Sequence, residues 1–372
     1  MPLLMGFRRF WAVLFFLVLL LPAVGLVMPG LREPPRTVHA PMPDWWIRAS
    51  ERLDPFINDA FGFRAAVLQA HASWGYWLGG GGNRDVAVGA DGALFFKGGD
   101  GLAQSYGELR RRRDVRRTAN FLAALDARIK DDGATFVVLI PPNSQTMRPE
   151  ALATRTRAGP PYRTEYDLMK EAMEERGVTF VDLRPILADA GREAQVYRRN
   201  DTHWNVRGAV VAFNAAMAAA GRPDLAYADI DGMLGPLRER WDGDLVRMLG
   251  LPAAMTPDMD HTAFPAGELP ASAVPIEGLS AQPGGPSGRV LSAHNLGQDG
   301  PRIMVIGDSF TRNLWRRLLA GRASAMAWMH HEYCAFDQGL IERFRPNIVL
   351  YMPVERSLLC AGGGPAGRGH NP

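Results

Sequence analysis

An α/β domain built on a largely parallel sheet is the fold this sequence predicts, and three observations carry it. From residue 114 onward, apolar runs of strand length alternate with helical patterns. The strand runs, such as ATFVVLI at 134–140, are almost continuously apolar, as expected of strands covered on both faces. With 47% apolar and 22% charged residues over 372 positions, the chain can bury a core of that size. A net charge of +3 is too mild to point to nucleic acid as a partner.

The N-terminus sets the expected compartment. Residues 1–9 carry Arg8 and Arg9, and residues 10–30 carry no charge at all. About 20 apolar residues span a bilayer as a helix, and PAVGLVMPG holds no clear A-x-A-like cleavage site. The run therefore predicts an uncleaved transmembrane anchor at 10–30, with 1–9 in the cytoplasm and the remainder beyond the inner membrane, in the periplasm. Residues 31–44 read as a Pro-rich linker. Residues 44–78 place apolar and polar positions at helical spacing, and their aromatics are expected in the core. VAVGADGALFFKGG (86–99) reads as a hairpin turning at Ala90, Asp91 and Gly92.

The main domain, 45–360, then alternates. A helix over 114–130 feeds the strand at 134–140, and a helix over 164–176 leads to the strand VTFVDL (178–183). After the segment NDTHWN comes an apolar helix, VRGAVVAFNAAMAAAG (206–221). PRIMVIGD (301–308) is a strand followed by the helix FTRNLWRRLLAG (310–321). SAMAWMH (324–330) and PNIVLYMPV (346–354) complete the sheet. Residues 252–300 are rich in Pro, Gly, Ala and Ser without a sustained period and are expected to form a long surface insertion. Residues 361–372 read as a disordered tail.

Three segments carry chemistry. In DTHW, Asp201 stands two residues before His203, and in an extended segment positions i and i+2 share a face. The carboxylate can then accept the imidazole Nδ1–H, fixing its tautomer and stabilising the imidazolium. Asn205 is placed to cap the helix that begins at Val206. In VIGDSF, Gly307 permits a tight turn after a buried strand and Ser309 opens a helix, at the edge of the sheet where α/β folds bind ligands. Its backbone N–H and the helix dipole would face an oxyanion. Asn143, after the first apolar strand, is either an oxyanion donor or a loop-holding side chain.

Taken together, these segments resemble the SGNH-hydrolase-like acetyltransferases of bacterial exopolysaccharide export, the AlgJ/AlgX group of alginate O-acetylation proteins. NDAFGFR (58–64), VGADGALFF (88–96), IPPNSQTMRPE (140–150), GDLVRMLG (243–250) and YMPVERSL (351–358) extend the similarity. Ordinary SGNH hydrolases carry the serine first and D-x-x-H last. Here the order is permuted and the spacing is D-x-H, as in the acetyltransferase group. Only residues 310–372 follow Ser309, too few for the carbohydrate-binding module of AlgX, so the membrane-anchored AlgJ-like layout is expected.

The resemblance implies a three-layer α/β/α SGNH-like fold and transfer of an acetyl group through an acyl-serine. Ser309 would be the nucleophile, His203 the base and Asp201 its orienter. No bound cofactor or metal is implied. The acetyl group would come ultimately from acetyl-CoA through a multi-pass membrane O-acyltransferase, within an export complex, and pass to an alginate-like or cellulose-like polysaccharide. A carbohydrate esterase with the same triad and a non-catalytic subunit are the alternatives.

Further residues are open to two readings. Arg312 could reach substrate, and Trp204 could contact substrate or wall the site. The run 110–117, RRRRDVRR, is either a solvated helix face or an anion-binding stripe. His330 and His331 are expected at the surface. Cys334 and Cys360 either form one disulfide in an oxidising compartment or remain two thiols.

Overall fold

The computed structural model of the chain describes residues 64–78, 83–152, 163–261, 273–279 and 292–361, a few isolated positions excepted, and part of 10–17. Two compact units are formed, residues 1–81 with 249–252 and residues 82–248 with 253–372. In the first unit, residues 10, 11 and 13–17 are helical. Among the described residues no helix is long and apolar enough to cross a membrane. Most of the expected anchor, the linker 31–44 and residues 44–63 lie outside the described residues. A helix spans Arg64–Trp77. Its aromatics divide, with Tyr76 buried and Trp74 and Trp77 exposed, so the expectation of core packing fails for both tryptophans.

The second unit opens with an antiparallel hairpin of β1 (Val86–Val88) and β2 (Leu94–Phe96), as expected. Its turn residues Ala90 and Asp91 lie outside the described residues. The short helix α1 (Gly101–Ser105) and the long α2 (Arg112–Asp131) lead to β3 (Thr135–Leu139). After β3 come α3 (Ser144–Met147) and α4 (Glu165–Glu174). The α4 entry is a capping box, Thr164 accepting from the Asp167 N–H and Asp167 accepting in return.

The strand expected at 178–183 shortens to β4 (Phe180–Val181), because Asp182 accepts the Arg184 N–H and starts α5 (Leu183–Glu193). That helix was not expected. α6 (Val206–Ala219) follows the DTHW loop, and β5 (Leu237–Arg240) and α7 (Asp244–Met248) come next.

The region 252–300 is not a surface insertion throughout. β6 (Asp258–His261) pairs antiparallel with β5, and β7 (Val274–Pro275) and β8 (Ser292–Asn295) join the main sheet. Strands of two to four residues are too short to show a period, and β6 and β8 find partners outside the region.

Of the remaining elements, all but one follow expectation; the helix at 339–344 was not expected. These elements are β9 (Arg302–Gly307), α8 (Ser309–Arg312), α9 (Leu314–Ala320), β10 (Ala325–His330), α10 (Gly339–Phe344) and β11 (Ile348–Met352). The seven-stranded order is β4-β3-β11-β9-β10-β8-β7. The first five strands are parallel, β8 pairs antiparallel with β10 and β7 antiparallel with β8, so the sheet is mixed.

Alternate strand residues enter two cores. Val137, Ile303, Val305 and Leu350 pack with α5, α6 and α9 on one face. Phe136, Val138, Met304 and Val349 pack with α2, α4 and α10 on the other. This three-layer arrangement explains the almost continuously apolar strands. It also brings the loops after β3, β9 and β11 to one sheet edge.

Cys334 and Cys360 form a disulfide across 26 residues of chain, with Cα atoms 5.0 Å apart. It ties the turn after β10 to the end of the domain, where the Cys360 N–H also donates to Thr118 Oγ1 at 2.8 Å. A loop of this length constrains the unfolded chain by about 3 kcal/mol. Denaturant unfolding with and without reductant should differ by that order, and equal midpoints would show that the bond adds nothing.

Candidate active site

Ser309 stands where β9 ends. A Cβ on Gly307 would lie 2.4 Å from Thr311 Oγ1, so glycine is required for the chain to turn so tightly from strand into helix. Asp308 fastens that turn from beneath. Its Oδ1 accepts the Phe310 N–H at 3.0 Å and its Oδ2 the Val354 N–H at 2.7 Å. Its carbonyl accepts from the Thr311 and Arg312 N–H groups. Ser309 is left exposed, and its own N–H meets no acceptor among the described residues.

His203 arrives on a loop closed by the Tyr197–Trp204 bridge and by Arg198 N–H donating to the His203 carbonyl at 3.2 Å. Asn205 caps α6 as expected, accepting the Gly208 N–H at 2.9 Å. The Asp201–His203 segment is not extended. It is a tight bend in which Asp201 Oδ1 accepts the His203 N–H at 3.0 Å, an Asx turn.

The same oxygen lies 2.6 Å from His203 Nδ1, and His203 Nε2 lies 2.8 Å from Ser309 Oγ. A carboxylate can only accept, so Nδ1 carries the proton and Nε2 accepts from the serine hydroxyl. Burial alone would raise the Asp201 carboxyl. The hydrogen bond and charge of His203, with Arg198 3.9 Å away, outweigh burial and hold it well below the ordinary carboxylate range. The three residues singled out by spacing therefore meet in one hydrogen-bonded chain.

A fourth residue was missed. Gly243 packs so closely that a Cβ there would lie 1.9 Å from the Asn200 carbonyl oxygen, and this approach delivers Asp244 to the DTHW loop. The Asp244 N–H donates to Asp201 Oδ2 at 3.2 Å. Its carboxylate accepts the Thr202 N–H at 2.8 Å and the Thr202 hydroxyl at 2.5 Å, and lies 3.5 Å from His203 Nδ1. The only sequence signal for it was the motif GDLVRMLG.

Asp201, His203 and Asp244 hold donor atoms within 4.8 Å of one another, a spacing open to a divalent ion. The 2.6 Å between Nδ1 and Oδ1 fits a shared proton instead, because ligands about 2 Å from an ion stand farther apart.

The other candidates separate. Trp204 is wholly buried and cannot contact substrate. Its indole N–H is spent on the Phe310 carbonyl at 3.0 Å, bracing the residue after Ser309. Asn143 is buried after β3, its amide donating to Ser105 Oγ at 3.0 Å and its backbone N–H to Glu355 at 2.8 Å. Arg312 is exposed at the end of α8, and its side chain makes no hydrogen bond or ion pair among the described residues.

His331 is buried and stacks on His330 at 4.6 Å, because the chain turns immediately after β10; the expected surface position does not hold for it. The arginine run is a solvated face at Arg112, Arg113 and Arg116. Arg111 instead turns inward, with two bonds to the buried Glu165 at 2.9 and 2.7 Å. Arg356, unremarked in the sequence, lies over the rings of Phe96 and Phe310 at 5.3 and 5.5 Å.

Glu355 joins the loops after β3 and β11. Burial pushes its carboxyl up to about 7, against bonds from Thr146 and Asn143 that favour the charged form. The folded value exceeds the ordinary 4.5, so the folded state holds the proton more tightly. Its contribution is full below that ordinary value and is lost as pH rises through the folded one, by on the order of 3 kcal/mol. Glu355→Gln should flatten the decline in unfolding free energy between about pH 4.5 and pH 7. An unchanged slope would assign the decline to other groups.

Against known proteins, the family model described as SGNH hydrolase-like domain, acetyltransferase AlgX, matches residues 86–320, a span that includes Asp201, His203, Asp244 and Ser309. Bacillus cereus PatB1, solved with a sulfonyl adduct, aligns at a TM-score of 0.52 with 13% identity, over 75% of this chain and 97% of that one. The O-acetyltransferase domain of Pseudomonas putida AlgJ aligns at 0.47 with 18% identity, over 73% and 91%. Pseudomonas aeruginosa AlgX aligns at 0.39 with 14% identity, over 72% and 62%. No curated protein matches the chain in sequence. The PatB1 likeness extends to the fold alone, but the family model covers more than half of the chain, so the chain belongs to the family of SGNH hydrolase-like acetyltransferase domains typified by AlgX.

Proposed function

We propose that this chain is an O-acetyltransferase that moves acetyl groups onto the hydroxyls of an exported bacterial polysaccharide. The observation that carries the reading is the hydrogen-bonded chain Asp201–His203–Ser309 ending in an exposed hydroxyl. His203 Nε2 takes the Ser309 proton as Oγ attacks the acetyl carbonyl, and the imidazolium returns that proton to the leaving group. The unpaired Ser309 N–H is free to meet the oxyanion. In the second half, His203 takes the proton of a sugar hydroxyl. The sugar oxygen attacks the acetyl-serine, and Oγ leaves with the proton held by His203.

In this reading the domain works in the periplasm, tethered to the inner membrane by residues 10–30, and its donor is supplied by a multi-pass membrane O-acyltransferase. Water competes with the sugar as acceptor, so the test follows where the acetyl group goes. Incubating the purified domain with an activated acetyl ester, with and without oligosaccharides of uronate or glucan type, should yield acetylated sugar by mass spectrometry. Acetate alone, with every acceptor, would move the assignment to an esterase.

A further inference from the structure

The carboxylate of Asp244 is unexplained by a three-residue mechanism. It lies 3.5 Å from His203 Nδ1, the nitrogen that already faces Asp201 at 2.6 Å. Two carboxylates so close repel each other unless their oxygens are occupied, and here they are. Asp201 Oδ1 accepts the backbone and ring N–H groups of His203, and its Oδ2 accepts the Asp244 N–H. Asp244 Oδ1 accepts the Thr202 N–H and its Oδ2 the Thr202 hydroxyl. The Thr202 oxygen, having donated to Asp244, turns a lone pair to His203 Nδ1 at 3.2 Å. The arrangement places two negative charges and one lone pair on the side of the imidazole opposite Ser309.

We propose that Asp244 is a positioning residue of the reaction, acting through His203. Its carboxylate shares with Asp201 the stabilisation of the imidazolium formed in each half of acetyl transfer, and its backbone N–H and Thr202 contacts hold the Asp201–His203 bend in register with Ser309. The inference rests on the reading of Ser309 and His203 as nucleophile and base.

The other charged groups facing this side are accounted for. Arg198 lies 3.9 Å from Asp201 but is engaged by Asp260 at 2.7 Å. Arg240 lies 3.6 Å from Asp260. Asp308, below Ser309, is spent on the Phe310 and Val354 N–H groups. Neither arginine contacts the imidazole in the way Asp244 does, so removing Asp244 removes negative charge that the protonated ring sees directly.

The test is the pH profile for hydrolysis of an activated acetyl ester such as 4-nitrophenyl acetate, which needs no sugar. The acidic limb of kcat/KM reports protonation of the base in the free enzyme. Loss of a unit charge at this range should move the limb down by about one pH unit or more in Asp244→Asn. Asp244→Glu, which keeps the charge, should move it far less. Thr202→Val, which deletes the hydroxyl but leaves both carboxylates, should lower the rate without moving the limb by as much. NMR titration of His203 in the same variants reads the shift independently of turnover. Asp244→Ser, which retains an oxygen acceptor for Thr202, supplies the same comparison if Asp244→Asn does not fold.

An acidic limb unmoved in the neutral variants, whether or not the rate falls, would reduce Asp244 to a structural brace and overturn the proposal. Absence of any ester hydrolysis in the wild type would instead sink the acyl-serine reading on which it rests.

Discussion

Ser309→Ala should lower acetyl transfer by about 10⁴-fold or more while leaving the fold as stable as the wild type. The hydroxyl is exposed and its hydrogen bond within the protein goes to His203, so its removal opens no cavity and strands no buried group. The turn that presents it is held by Gly307 and by the Asp308 bonds, none of which use the serine side chain. The loss is therefore chemical: without Oγ there is no acyl-serine, and His203 has nothing to deprotonate at the sheet edge. Mass spectrometry after brief exposure to an activated acetyl ester should find an added acetyl group on wild type and none on the variant. In cells the polymer should still be exported but should lack its acetyl groups. Normal acetylation by a well-folded Ser309→Ala protein would remove the serine from the mechanism altogether.

How much of this could be read in the chain follows from the range of each interaction. β3, β9, β10 and β11 were legible because a strand covered on both faces must be apolar at every position, and that signal is local. The entry to α6 was legible because Asn205 caps it within three residues. Asp201 and His203 were paired correctly, although through an Asx turn rather than an extended segment. Either geometry brings a carboxylate onto an imidazole two residues away, so the spacing could not tell them apart.

What escaped notice depends on contacts across long stretches of sequence. Asp244 reaches Asp201 from 43 residues away, through a backbone approach that only Gly243 permits. β6 inverts the usual pattern, with Met259 exposed while Asp258 and Asp260 turn inward to serve the DTHW loop. Asp258 accepts the Asn200 N–H at 3.0 Å, and Asp260 accepts from Arg198 at 2.7 Å. Buried carboxylates that serve backbone donors leave no hydrophobic period to read.

Trp204→Ala should be the most destabilising single change near the site, at about 3–5 kcal/mol. The side chain is wholly buried and is among the largest buried side chains in the core around α6. Truncation removes that apolar volume and also strands the Phe310 carbonyl, whose 3.0 Å partner is the indole N–H. Trp204 packs edge-on against Phe310 at 5.2 Å, and Phe310 packs against His203 at 4.8 Å. The ring thus clamps the two sides of the site together, the residue after His203 holding the residue after Ser309. Trp204→Phe separates the contributions. It keeps most of the volume and loses the hydrogen bond, so it should cost nearer 1–2 kcal/mol. Both variants should lose activity beyond what partial unfolding explains, because the 2.8 Å contact between His203 and Ser309 depends on that clamp. Urea unfolding would measure the first effect, and ester hydrolysis well below the transition the second. A Trp204→Ala protein within 1 kcal/mol of wild type, with full activity, would mean that the Asp308 turn alone aligns the serine.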